Sequence, residues 1–126
     1  MLFILGISVL AVLHVFATTF FLYWTYPWFD IPMHGLGGVL VAFGFLMCMS
    51  SYARRDFTEG LLVTVVVVFS VGVAWELFEL AGGITIFGAL GYVGDTARDL
   101  LMDVVGGAFG YVCARAIVSH EKTRSG

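Results

Sequence analysis

Apolar residues run almost unbroken through four stretches of the chain, and polar residues gather between and at the ends of them. The stretches are Leu2 to Trp24, Pro32 to Ala53, Gly60 to Leu80 and Asp95 to Val118. Each is close to the roughly 20 mostly apolar residues that a helix needs to cross the hydrocarbon core of a bilayer. Runs such as Val65-Val66-Val67-Val68 do not alternate, as the strands of a membrane barrel would. The pattern predicts an all-α polytopic membrane protein, with four transmembrane helices in a compact bundle and a single domain over 1–126. The first stretch lacks a basic leader and a small-residue cleavage site, and its apolar run is too long for a signal-peptide core, so it reads as a retained helix.

Local signals support these boundaries. Pro32 suits the first turn of the second helix. Asp56 and Glu59 flank the start of the third with the spacing of a capping box. Gly94 or Asp95 can cap the fourth. Between the third and fourth helices, residues 81–94 are apolar and rich in glycine. They read either as a re-entrant segment or as a flexible loop at the membrane surface.

Composition narrows the function. Hydrophobic residues make up 60% of the chain and charged residues 12%, with a mean hydropathy of +1.00. A soluble domain has about 45–50% and about 25%. The net charge of -3 offers no basic surface for phosphate backbones, so no nucleic-acid partner is expected. Cys48 and Cys113 are too few for a disulfide framework and read as small apolar fillers.

The cations set an orientation. Arg54 and Arg55 lie between the second and third stretches, and Arg115, Lys122 and Arg124 lie at or beyond the end of the fourth. Only Arg98 falls on the other side. The positive-inside rule then makes both termini cytoplasmic, in the cell (inner) membrane. Tyr23, Trp24, Tyr26, Trp28, Trp75 and Tyr92 form an aromatic belt at the outer face.

The ionisable residues carry the candidate chemistry. Asp30, His34, Glu76, Glu79, Asp95, Asp99 and Asp103 all fall at the outer ends of their helices, and His14 reaches a similar depth on the first. With a rise of about 1.5 Å per residue, Asp103 lies roughly 12 Å below Asp95. Asp95, Asp99 and Asp103 repeat at i, i+4, i+8 and share a face. The spacing Gly106-x-x-x-Gly110-x-x-x-Ala114 continues that face as a small-residue seam, and Gly37, Gly38 and Gly44 follow His34. These faces should point into the bundle, or join two copies as a homo-oligomer.

Acids within a membrane are costly and functional by default. Repulsion within the cluster leaves it protonated, hydrated or loaded with cations. The expected metal ligands are His34, Glu76, Glu79, Asp99, Asp103, Asp95, His14 and Asp30, around a divalent ion (Mg, Mn, Ca or Zn). Glu76, Asp99 and Asp103 are the candidate catalytic residues. Each outer member also has a plainer reading. His14 can serve as a helix–helix hydrogen bond and Asp30 as a cap. Glu79 and Asp95 can sit at the water line, with Arg98 as a counter-ion. The Glu-x-x-His spacing of di-iron bundles does not occur.

Asp30-x-x-x-His34, Trp75-Glu76-x-x-Glu79 and Asp95-Thr96-x-x-Asp99-x-x-x-Asp103-x-x-Gly106 resemble the signature of YjdF-like inner-membrane proteins, and more distantly that of the VanZ-like family. The likeness covers the second to fourth helices. It departs from the VanZ-like pattern at Ile31, Glu79 and Asp103, where that family tends to carry Lys, Gln and Asn. The resemblance implies a small polytopic membrane fold and names no reaction.

Three functions remain open on these residues. One is a metal-dependent enzyme acting on a lipid or lipid-linked phosphate at the outer leaflet. Another is a cation or proton transporter, although the cytoplasmic halves carry few polar residues beyond Ser50, Thr64 and Ser70. The third is a non-catalytic binding or assembly protein held by a structural metal.

Overall fold

The computed structural model describes residues 2–83, 87–88 and 90–124, with the side chains of residues 3–118 among them. The described residues form helices and turns and contain no strand. The elements are α1 (Leu2–Thr19), α2 (Leu22–Thr25), a 3-10 turn (Pro27–Phe29), α3 (Asp30–Cys48), α4 (Ser50–Arg54), α5 (Phe57–Ala81) and α6 (Tyr92–Arg124). The centre of the 81–94 segment, at 84–86 and 89, lies outside the described residues, as do the side chains of Lys122 and Arg124.

Three segments are long and apolar enough to cross a membrane: Pro27–Cys48, Phe57–Ala81 and Tyr92–Val118. A shorter apolar helix covers Phe3–Thr19. The first stretch therefore breaks before Trp24. Thr18 and Thr19 turn their hydroxyls back onto the carbonyls of His14 and Val15, a pattern that bends helices. Phe21 then adopts a left-handed backbone, with φ 56°, which ends α1 and starts α2 at a new angle. The second stretch breaks as well. Met49 leaves helical geometry (φ -124°, ψ 55°), and Ala53 falls in the separate short helix α4.

The other ends are set by caps. The Asp56 carboxylate accepts the Thr58 N–H at 3.0 Å and opens α5 three residues earlier than Gly60. Glu59 does not close a capping box; it pairs with Arg55 instead. α6 begins at Tyr92, so Asp95 lies in its first turn and neither Gly94 nor Asp95 is its cap.

Packing follows a four-residue rhythm. α5 buries Gly60, Thr64, Val68, Gly72 and Glu76. α3 buries Met33, His34, Gly38, Ala42 and Leu46. α3 and α6 share the most extensive interface, and α5 covers both. Glycine makes that approach close. A Cβ on Gly106 would collide with the Gly35 carbonyl, and one on Gly38 with the Asp103 carbonyl. The small-residue seam is thus engaged within the chain, between α3 and α6. α1 joins the outside of α3, where Gly6 faces Leu40 and Gly44 faces Phe3.

At the end of the bundle that carries Arg55 and Arg115, Leu46, Ala53, Tyr111 and Ala114 form an apolar core. The Tyr111 hydroxyl donates to the Phe57 carbonyl at 3.2 Å and accepts from Arg115, whose guanidinium also donates to the Arg55 carbonyl at 2.7 Å. Both cysteines are free; Cys48 is exposed, while Cys113 is half-buried.

Candidate metal centre

The buried stripes of α3, α5 and α6 all turn polar at the same end. Their last members are His34, Glu76 and the pair Asp99 and Asp103, which are 7%, 7%, 5% and 6% exposed. Four such side chains inside so small a bundle must find partners, because an unpaired buried polar group costs several kcal/mol at about 2–7.

His34 is the hub. Its Nδ1 lies 3.3 Å from both carboxylate oxygens of Asp103. Its Nε2 faces Asp30 Oδ1 at 3.7 Å, one helical turn back on α3. Asp99, one turn from Asp103 on α6, comes to the same side. One ligand atom each from Asp30, His34 and Asp99 lies within 4.8 Å of the others. Asp103 thus holds the far side of the imidazole, while Asp30 and Asp99 flank the near side. A carboxylate behind a ligating histidine fixes the ring and leaves its other nitrogen aimed at a metal.

Glycines make room for this arrangement. The Asp103 carboxylate presses against Gly72 of α5, where a Cβ would meet Oδ2, and a Cβ on Gly37 would stand 3.9 Å from Oδ1. Glu76 sits one turn beyond Gly72. Its Oε2 accepts a hydrogen bond from Thr96 Oγ1 at 2.9 Å, while its Oε1 is buried with no hydrogen-bond partner among the described residues.

The remaining candidates occupy the rim. Asp95 is exposed and pairs with Arg98 at 3.1 Å, so it shares a helical face with Asp99 but not its burial. Arg98 is thereby engaged outside the buried acids. Glu79 accepts from Trp75 Nε1 at 3.0 Å. His14 joins neither group: its Nδ1 shares a 2.9 Å hydrogen bond with the Tyr23 hydroxyl, and its ring meets Trp75 edge-on. Burial pushes the Tyr23 phenol up to about 12, helped by the carboxylates of Asp30 and Glu79. Tyr23 therefore keeps its proton at neutral pH.

The arrangement is a closed seam, with His34, Asp99 and Asp103 buried between the helices. Asp30, whose side chain is 33% exposed, stands at its mouth. Two contacts were not expected from the sequence, Thr96 on Glu76 and Tyr23 on His14, although Thr96 stands in a motif and Tyr23 in the aromatic belt. Thr96 lies on the buried face of α6, three residues before Asp99, and that spacing marks it. Tyr23 has no such signal, because its contact with His14 depends on the break at Phe21.

The family model for a predicted membrane protein, DUF2238, matches residues 1–120, and the YjdF-like proteins are this family. No match was found among curated proteins or among solved structures.

Proposed function

The chain belongs to this family of predicted membrane proteins, and from that premise we propose that it is an integral membrane protein that binds a divalent cation between α3 and α6. One observation carries the reading: three ligand atoms, from Asp30, His34 and Asp99, lie within 4.8 Å of one another. A cation there offsets the repulsion among buried acids that have no buried Arg or Lys beside them among the described residues. Oxygen ligands suit Mg, Ca or Mn, and the imidazole admits Zn.

The topology we propose has four spans, with α1 as the first, and both termini in the cytoplasm. The gathering of Arg55 and Arg115 at the end opposite the cluster supports it. The site then faces the outer leaflet of the cell membrane, beneath the exposed Trp24, Trp28 and Trp75. Three protein ligands leave coordination positions free for a phosphate oxygen. Metal-assisted chemistry on a lipid or lipid-linked phosphate is the activity this reading favours, with Asp99, Asp103 and Glu76 around the reacting group. Transport fits less well. In the opposite half of the bundle, Thr64 is the buried polar residue among those described, and its hydroxyl donates to the Gly60 carbonyl.

A second reading rests on His34 alone. Both its ring nitrogens face carboxylates, so an imidazolium there would tie α3 to α6 without a metal, as an assembly device. Elemental analysis of the purified full chain separates the two. Near-stoichiometric divalent metal, lost in Asp99→Asn, is expected. Metal-free protein after purification in metal-supplemented buffer contradicts the cation reading and favours the ion-paired one.

A further inference from the structure

Arg98 is the one Lys or Arg at the end of the bundle that holds the acids. Its Nη1 donates to Asp95 Oδ1 at 3.1 Å, which is its hydrogen bond among the described residues. The pair is open to its surroundings: the Arg98 side chain is 49% exposed and that of Asp95 64%. An exposed ion pair of this kind contributes little to stability. A guanidinium carries its N–H donors in a planar fork, and Asp95 engages one nitrogen of it. The rest of the fork can meet another group rich in oxygen.

Two observations place this guanidinium at the mouth of the site. Asp95, which holds it, lies one turn before Asp99 on the same face of α6, and its carboxylate acts electrostatically on both Asp30 and Asp99. Met102, one turn beyond Arg98 and on its face, meets α3 next to His34: a Cβ on Gly35 would stand 3.6 Å from Met102 Cε. The stripe that carries Arg98 therefore follows the α3–α6 seam towards the end where Asp30 stands.

The charges say which ligand. Asp30, Glu79, Asp95 and Asp99 repel an anion at this end unless positive charge meets it there. A bound cation supplies that charge on the inner side, and Arg98 supplies it on the outer side. Arginine suits phosphate in particular, because its fork takes two oxygens at once.

Resting on the cation and lipid-phosphate reading above, we infer that Arg98 is the phosphate-binding residue at the mouth of the site, and that its ligand is a terminal phosphate. Such a group has three free oxygens, one for the cation and two for the guanidinium. A phosphodiester has one fewer and leaves the fork half filled.

The test is calorimetric titration of the detergent-purified full chain, saturated with Mn2+, with short-chain phosphatidic acid, short-chain phosphatidylglycerol and inorganic phosphate. Phosphatidic acid should bind more tightly than phosphatidylglycerol. Inorganic phosphate separates the sources: affinity equal to that of phosphatidic acid makes the phosphate group the whole ligand, and weaker affinity adds the lipid to it. Arg98→Gln should weaken binding of phosphatidic acid by about 10–100-fold, the worth of a charge-assisted contact to phosphate. Arg98→Lys should recover only part of the loss, because lysine offers a point charge and no fork. The side chain is exposed, so neither change disturbs the core. Wild-type affinity for phosphatidic acid in Arg98→Gln overturns this inference and leaves the cation reading standing, as does a Mn2+-loaded wild type that binds none of the three. Equal affinity for phosphatidic acid and phosphatidylglycerol overturns the terminal-phosphate assignment. No Mn2+, Zn2+, Mg2+ or Ca2+ binding to the wild-type chain overturns the cation reading, and the inference with it.

Discussion

Asp103 and Asp99 lie one turn apart on the same helix, yet the geometry divides their work. Asp103 faces His34 Nδ1 with both oxygens, whereas Asp99 joins Asp30 beside the ring. Asp99→Asn should therefore abolish cation binding, because it removes a ligand. Asp103→Asn should weaken it by about 10–100-fold, because it loosens the histidine behind the site. Calorimetric titration with Mn2+ reads both, and equal affinities in the two variants would contradict the division. These residues were legible in the sequence, because ionisable groups inside apolar stretches stand out. The split between Asp95 and the deeper acids was not. All three share a helical face, and only the depth at which α6 enters the bundle leaves Asp95 exposed against Arg98. Nor does sequence reveal that Glu76 keeps one oxygen without a partner among the described residues, since that depends on where Thr96 lands.

Among the elements, the contact between α3 and α6 positions everything else. Their backbones meet where Gly106 faces the Gly35 carbonyl and Gly38 faces the Asp103 carbonyl. Gly106→Ala and Gly38→Ala must push main chain against main chain. Each should destabilise the protein by about 1–3 kcal/mol, the range for overpacking, and should weaken cation binding by shifting α6 against His34. Gly37→Ala is the control, because its Cβ would make only ordinary contact, 3.9 Å from Asp103 Oδ1. Denaturant or thermal unfolding of the three variants checks this; a Gly37→Ala protein as weak as the other two would contradict it. The small-residue spacing was visible beforehand, and so were the apolar stretches. The breaks at Phe21 and Met49 were not, because apolar residues continue through both and hydropathy is blind to a backbone turn. The start of α5 at Phe57 was close to legible, since Asp56 is a good cap, although Arg55 takes the Glu59 that would have closed the box.

At the scale of the molecule, the polar cluster and the arginines occupy opposite ends of one bundle. The topology proposed from the cation distribution has Arg54, Arg55, Arg115 and the tail in the cytoplasm. A reporter fused after Gly126 should thus behave as cytoplasmic, and one fused between Gly82 and Gly91 as external. An external C-terminus would turn the site to face the cytoplasm and remove the outer-leaflet substrate. The all-helical membrane architecture was readable from composition and run length alone. The closed form of the site was not, because burial of His34, Asp99 and Asp103 comes from helix approach rather than from their own spacing.

On the proposed function, a divalent cation binds the folded chain at this cluster, and its binding adds to stability. A ligand that binds only the folded state stabilises it by RT ln(1 + [L]/Kd), about 2.7 kcal/mol at a hundred-fold excess over Kd. Carboxylate and imidazole ligands must be deprotonated to bind, so this stabilisation is present at neutral pH and is lost as the pH falls. The most direct measurement is the melting temperature of the detergent-purified chain with chelator and then with added Mn2+, at neutral and at acid pH. Chelator should lower it at neutral pH, Mn2+ should restore it, both effects should shrink in acid, and Glu59→Gln at the arginine end should respond as wild type does. A melting temperature unmoved by chelator and by Mn2+ at neutral pH would contradict the proposed binding.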